Sequence, residues 1–179
     1  MDIKRSIAIM AAQDALENVG VTEVGGNNKG PAVKKYLESC GLTEGYPWCA
    51  AFLVYRYKRA AHKLGLPITE SWPRSAYCPD YSRWAKANGL WIPYLTASLT
   101  PTEVRVGDMA LFYFRQLNRI AHCGIVVEVH PWGVTTVEGN TNPTPTNSTE
   151  VEREGDVVAT KSRRWNELGL YGGFAKINF

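Results

Sequence analysis

No stretch of this 179-residue chain approaches the ~18 consecutive apolar residues that a membrane-spanning helix needs, so no span is expected. A secretory leader is not expected either, because the opening MDIKRSIAIMAAQDALENVG places Asp14 and Glu17 where a leader needs an apolar run and a cleavage site. Cysteine is scarce. The four thiols, Cys40, Cys49, Cys78 and Cys123, lack the CxxC spacing of a zinc site and are too few for a disulfide scaffold, so the expectation is no metal and reduced thiols, one of them open to reactivity. Charge is nearly balanced: 20 Lys+Arg against 17 Asp+Glu give +3, far below a dedicated nucleic-acid binder, and no nucleic-acid partner is expected. Repeats, heptads and long linkers are missing too. What remains is 45% apolar and 21% charged, the profile of a globular chain, expected to form a single domain over residues 1–179 and to act as a monomer.

The first half of the chain reads as helices. Residues 4–19 carry Ile7, Ala8, Ala11, Ala12, Ala15, Leu16 and Val19 at helical spacing before Gly20. A second helix starts at Pro31 and stops at Gly41, a third and longest runs from Trp48 to Leu64 before Gly65, and a short fourth spans Tyr81 to Asn88. Beyond Pro101 the pattern changes to β-branched and aromatic runs, MALFYF, AHCGIVVEV and GVTTVEG, separated by short turns, which predicts an antiparallel meander. VVATKSRRW and GLYGGFAKI offer further strands, and NTNPTPTNSTEVEREGD reads as a surface loop. Helices first and a sheet second make an α+β fold.

Chemistry is most visible at Cys49, which stands at the start of the long helix, where unpaired N–H groups and the positive dipole end favour thiolate over thiol. Cys40 and Cys123 fit a buried structural role better. A nucleophilic thiol needs a base, and only three histidines are present. His62 lies thirteen residues along the same helix, ~20 Å away, and His130 sits in a His-Pro-Trp turn. His122 remains, at the beginning of a strand whose alternation sends it and Cys123 to opposite faces, so His122 is expected to face a cleft and Cys123 to point away. A third polar group usually orients such a base. Glu138 and Asn140 share a face of the next strand by period two and are both candidates, against the plain alternative of a solvent-facing strand end.

These residues also carry a family resemblance. Gly45-Tyr46-Pro47-Trp48-Cys49-Ala50-Ala51-Phe52, Val106-Gly107-Asp108-Met109-Ala110-Leu111-Phe112, His122-Cys123-Gly124-Ile125-Val126 and Glu138-Gly139-Asn140-Thr141 resemble the CHAP family of cysteine- and histidine-dependent amidohydrolases and peptidases. The peripheral segments Gly26 to Pro31 and Arg153 to Asp156 extend the likeness.

The resemblance implies a papain-like α+β fold, with the nucleophile at a helix N-terminus packed on a C-terminal antiparallel sheet. It implies cleavage of amide bonds in bacterial peptidoglycan by an amidase or endopeptidase that needs no cofactor. Carried over by position, Cys49 is the nucleophile, His122 the general base and acid, Glu138 the orienting group and Asn140 an additional polar partner. Tyr46 falls near the oxyanion site; apart from the resemblance, Trp48, Trp72 and Trp132 lie in segments expected to border the cleft, with core packing or a loop anchor the stronger account of each ring taken singly. A phage lysin or wall-remodelling enzyme, made in the cytoplasm and acting on the wall after release or export, is the leading reading. A secretion-system effector amidase shares the same chemistry, and a non-catalytic wall-binding domain is the remaining alternative.

Overall fold

A computed structural model describes residues 3–143 and 155–179 of the chain. Four helices come first, α1 (Ile3–Leu16), α2 (Pro31–Glu38), α3 (Cys49–Leu64) and α4 (Pro79–Ala87). They are followed by β1 (Trp91–Pro93), a short α5 (Tyr94–Leu99), and then β2 (Met109–Phe114), β3 (Arg119–His130), β4 (Gly133–Thr141), β5 (Val157–Arg164) and β6 (Gly173–Ala175). The six strands form one antiparallel sheet in the order β1-β6-β2-β3-β4-β5. The α+β class and the meander β2 to β5 are as the sequence predicts. Two features differ: β6 returns to the free side of β2 instead of extending the meander, and β1 with α5 fills a stretch that carries no periodic signal.

Helix ends follow the local chemistry. Proline opens α2 and α4, where a missing N–H costs nothing. Gly65 closes α3 in the left-handed conformation (φ 64), with its N–H on the last turn. The first helix ends at Leu16, three residues short of the expected Val19, and the chain turns through residues 17–20.

The sheet is covered on both faces. On one, α1, α3 and α4 share a core with Leu111, Cys123, Ile125 and Val137, to which Phe52, Leu53 and Tyr57 contribute from α3. Each such side chain, fully withdrawn from water, contributes about 1.5–3 kcal/mol. On the other face Ala97 of α5 and the 3-10 turn at Trp165 and Leu168 close over Phe112, Val126, Val134 and Phe174.

Asp108, in the Val106-Gly107-Asp108 motif, ties the chain's ends to this sheet. Its carboxylate takes Arg5 Nη1 at 2.6 Å and the Ile177 amide at 3.1 Å, and Arg5 also donates to the Ile177 carbonyl. Gly107 (φ 89) lies so close to α1 that a Cβ there would stand 2.4 Å from the Ala8 carbonyl oxygen. The motif is therefore a structural clamp.

Candidate active site

Cys49 is the first residue of α3, and two side chains, those of Asn140 and Glu23, brace the entry to it. Asn140 Oδ1 accepts the Trp48 backbone N–H (3.0 Å), while the Glu23 carboxylate accepts the Trp48 indole N–H (2.8 Å) and the Asn28 backbone N–H (2.8 Å). Asn28 is itself left-handed (φ 56), and its carbonyl accepts the Gly45 N–H. From below, Gly139 brings β4 against the helix: a Cβ there would lie 2.7 Å from Trp48 Cζ3 and 2.9 Å from Phe52 Cβ. The segment Gly26 to Pro31, peripheral in the sequence, thus forms part of the mount that holds the Cys49 loop.

His122 is fully buried rather than facing an open cleft. A bulge in the β2–β3 pairing falls next to it, with Phe112 opposite His122 but Tyr113 opposite Ile120, and bulges re-aim the side chains that follow. The ring packs on Phe112 (centroids 5.7 Å apart) and sets Nε2 at 2.8 Å from Glu138 Oε2. Glu138 is also fully buried, which removes the solvent-facing strand end as an account of it. Its carboxylate receives Arg163 in two-point contact, Nε to Oε1 at 2.8 Å and Nη2 to Oε2 at 2.6 Å, and the Thr136 hydroxyl at 2.7 Å. Such forked contacts are the strong form of carboxylate recognition.

The charges of the site follow from these contacts. Hydrogen bonds from Cys123 and Cys78, outweighing burial and joined by the hydrogen bond and charge of His122, hold the Cys49 thiol well below the usual thiol range. Burial by itself would lower His122, but hydrogen bonds to Cys49 and Glu138 together with their charges raise it to about 9. Glu138 resists the upward push of burial through Arg163 and His122 and stays below the usual carboxyl range. Both shifts favour a Cys49 thiolate beside a His122 imidazolium. Glu138 occupies Nε2, which leaves Nδ1 for the thiol. Nδ1 is buried without a fully formed hydrogen bond, the loose geometry common to catalytic pairs before substrate binds.

An open pocket of about 390 Å³ reaches this point, lined by Tyr46, Cys49, Ser75, Tyr77, Cys78 and Arg119 among others. Tyr46 is half exposed and lines this pocket. Trp48 and Trp72 do not border it: both are buried, Trp48 beneath the entry to α3 and Trp72 among Tyr57, Tyr81 and Phe179, because rings of that size are worth more in the core than at a rim. Trp132 is exposed but stacks on His130 at the opposite end of β3. Asn140 is not a partner of His122. Its left-handed backbone (φ 57) and the register slip between Glu138 and Thr141 break the expected alternation, so its amide serves Trp48 and the Gly155 carbonyl instead. Cys123 does not point away from Cys49 either; it lies on the helix-covered face, where α3 begins, and its Sγ is within 4.8 Å of that of Cys49. Most of the surface loop expected after Thr141 lies outside the described residues.

Arg163 and Glu23 escape the sequence reading, and Asn28 enters it only as part of the segment Gly26 to Pro31. The one signal for Arg163 is that a Glu destined for the interior demands a cation on a neighbouring strand. Gly124, directly before Ile125 in β3, has a sharper role: a Cβ there would stand 2.7 Å from Glu138 Cγ and 3.0 Å from Thr136 Cβ. Because Arg163 holds the carboxylate in place, Glu138 has little room to yield. Gly124→Ala is expected to lower kcat by roughly 10-fold or more, with a smaller change in KM, as Glu138 is displaced from His122. Unchanged kcat in steady-state assays would show that the strand shifts to accommodate the methyl group.

A thiol at a helix start, an imidazole on the facing sheet and a buried carboxylate behind it define the papain-like class of cysteine hydrolases. The family model for the CHAP domain matches residues 41–140, more than half of the chain and a span that contains Cys49, His122 and Glu138. The chain belongs to the CHAP family, which makes it a cysteine- and histidine-dependent amidohydrolase or peptidase. No curated protein matches it. Among the described residues, no helix is long and apolar enough to cross a membrane.

Proposed function

We propose that this protein cuts amide bonds of bacterial peptidoglycan, with Cys49 as nucleophile, His122 as general acid and base and Glu138 as the group that orients His122. The observation that carries this reading is the buried line from Arg163 through Glu138 to His122, which lies beside Cys49 where that thiol lines an open pocket. Membership of the CHAP family supports the substrate class.

Attack by Cys49 Sγ on an amide carbonyl gives a tetrahedral oxyanion, and the Cys49 N–H, in the first turn of α3 where amides lack intrahelical partners, is placed to receive it. His122 then delivers its Nδ1 proton to the departing amine, so that the C–N bond breaks and a thioester remains. Water, deprotonated by the same imidazole, releases the acyl group and restores the thiolate. The pocket's lining joins a cation to an aromatic ring: the Arg119 guanidinium carbon lies 5.3 Å from the centroid of Tyr77, which is exposed. That lining suits an anionic, peptide-bearing polymer, reached after release or export of the protein from the cytoplasm.

Digestion of purified peptidoglycan tests the proposal. New amino groups should appear without new reducing sugar ends, and mass spectrometry of the fragments should name the bond. Reducing ends without amines, or rapid digestion of casein beside inert peptidoglycan, would reject it.

A further inference from the structure

Cys49 is not alone among sulfur atoms. Cys78 precedes α4 and sets its Sγ 3.7 Å from that of Cys49, while Cys123 in β3 sets its Sγ 3.8 Å from that of Cys78. The three sulfurs lie within 4.8 Å of one another, all buried and all free of disulfides. They come from three separate elements, so the cluster is a product of the tertiary fold and leaves no trace in sequence spacing.

Sulfurs bound to one tetrahedral ion at about 2.3 Å stand about 3.8 Å apart, close to the two separations found here. A second observation points the same way. His122 Nδ1 is buried beside Cys49 without a fully formed hydrogen bond, while its Nε2 is held by Glu138. The pocket lined by Cys49 and Cys78 supplies a path from solvent.

We propose that Cys49, Cys78 and Cys123 form a binding site for one thiophilic ion of zinc type, and that the bound ion silences the hydrolase. The ion binds the Cys49 thiolate and replaces the protons held by Cys78 and Cys123, which leave to solvent, and no atom is oxidised or reduced. The binding site stands independently of the catalytic assignment; the silencing rests on Cys49 being the nucleophile. Metal here would act as a reversible stopper on a thiol enzyme and would take no part in its chemistry.

The test uses the full chain, reduced and stripped of metal, titrated with Co²⁺ and then Zn²⁺. One equivalent of Co²⁺ should produce thiolate-to-cobalt charge-transfer absorption with the visible bands of tetrahedral cobalt, and zinc should abolish both. Cys78→Ser and Cys123→Ser should each weaken binding by at least about tenfold and diminish the charge-transfer band, whereas Cys40→Ser should leave both as they are. X-ray absorption of the zinc-loaded parent chain, which needs no variant to fold, should show three sulfurs in the coordination shell. A shell with one sulfur, or undiminished binding in both variants, would reduce the site to the Cys49–His122 pair and overturn the proposal. Peptidoglycan hydrolysis should fall in step with zinc occupancy and return when a chelator removes the ion. Three-sulfur binding with hydrolysis unaffected would overturn the silencing and, with it, the role of Cys49 as nucleophile, while leaving the binding site intact.

Discussion

Replacing Cys49 by alanine is expected to eliminate hydrolysis, with kcat falling by about 10⁶-fold, the scale on which a catalytic triad fails when its nucleophile is removed. The fold should survive, because Cys49 is at the first position of α3 and the brace on that position runs through the Trp48 amide and indole. Cys40→Ala is the matched control. Cys40 is half-buried, and burial pushes its thiol up despite a contact with Ser39, so it should neither support catalysis nor react early. A limiting dose of iodoacetamide followed by peptide mapping should therefore find the label on Cys49. Residual turnover in folded Cys49→Ala protein, or first labelling at another thiol, would move the nucleophile elsewhere.

Glu138→Gln should produce the second large effect, on stability and on the pH profile together. Losing the carboxylate leaves Arg163 buried without its forked partner, a change that typically costs about 3–5 kcal/mol and should be measurable in urea denaturation. The sign of its pH dependence is fixed. Because Glu138 is lowered in the folded protein, its contribution is in full above the ordinary carboxyl value of 4.5 and fades as pH falls below it, so parent and variant should converge in acid. Activity follows a different pair of groups. The parent should give a bell-shaped kcat/KM profile, with an acid limb from protonation of the Cys49 thiolate and a basic limb near 9 from loss of the His122 proton. In Glu138→Gln the basic limb should move toward neutrality, because one of the charges that raise His122 is gone. A basic limb left in place would mean that Glu138 does not act through His122.

How much of this could be read in advance depends on how local each feature is. The start of α3 is announced by Gly45-Tyr46-Pro47 and the apolar periodicity that follows, so Cys49 stands out; elimination among three histidines then leads to His122. Glu138 lies one strand further on, and alternation suffices to place it. Asn140 lies only two residues beyond, yet alternation fails there because a left-handed residue and a register slip intervene. Arg163 and Glu23 act across strands or loops whose pairing no local pattern reveals, and β1 and β6, three residues each, are too short to show a period. The tryptophans mislead for another reason: composition counts rings but does not say which of them the core consumes. The thiol cluster was hidden in the same way, since Cys49, Cys78 and Cys123 meet only after α3, α4 and β3 have packed together.

With Cys49 ionised and His122 protonated, as the shifts of both favour, the line of groups from Arg163 to Cys49 alternates in sign, plus, minus, plus, minus, and so encloses no net charge. On the proposed chemistry, acylation spends the inner pair at one stroke: the thiolate becomes a neutral thioester as the imidazolium gives up its proton to the leaving amine. Four buried charges become two, and the sum remains zero. The protein therefore never has to solvate an isolated ion at any stage of the cycle, and the outer pair, Glu138 with Arg163, serves as a fixed electrical frame within which the inner pair is discharged and restored on every turnover.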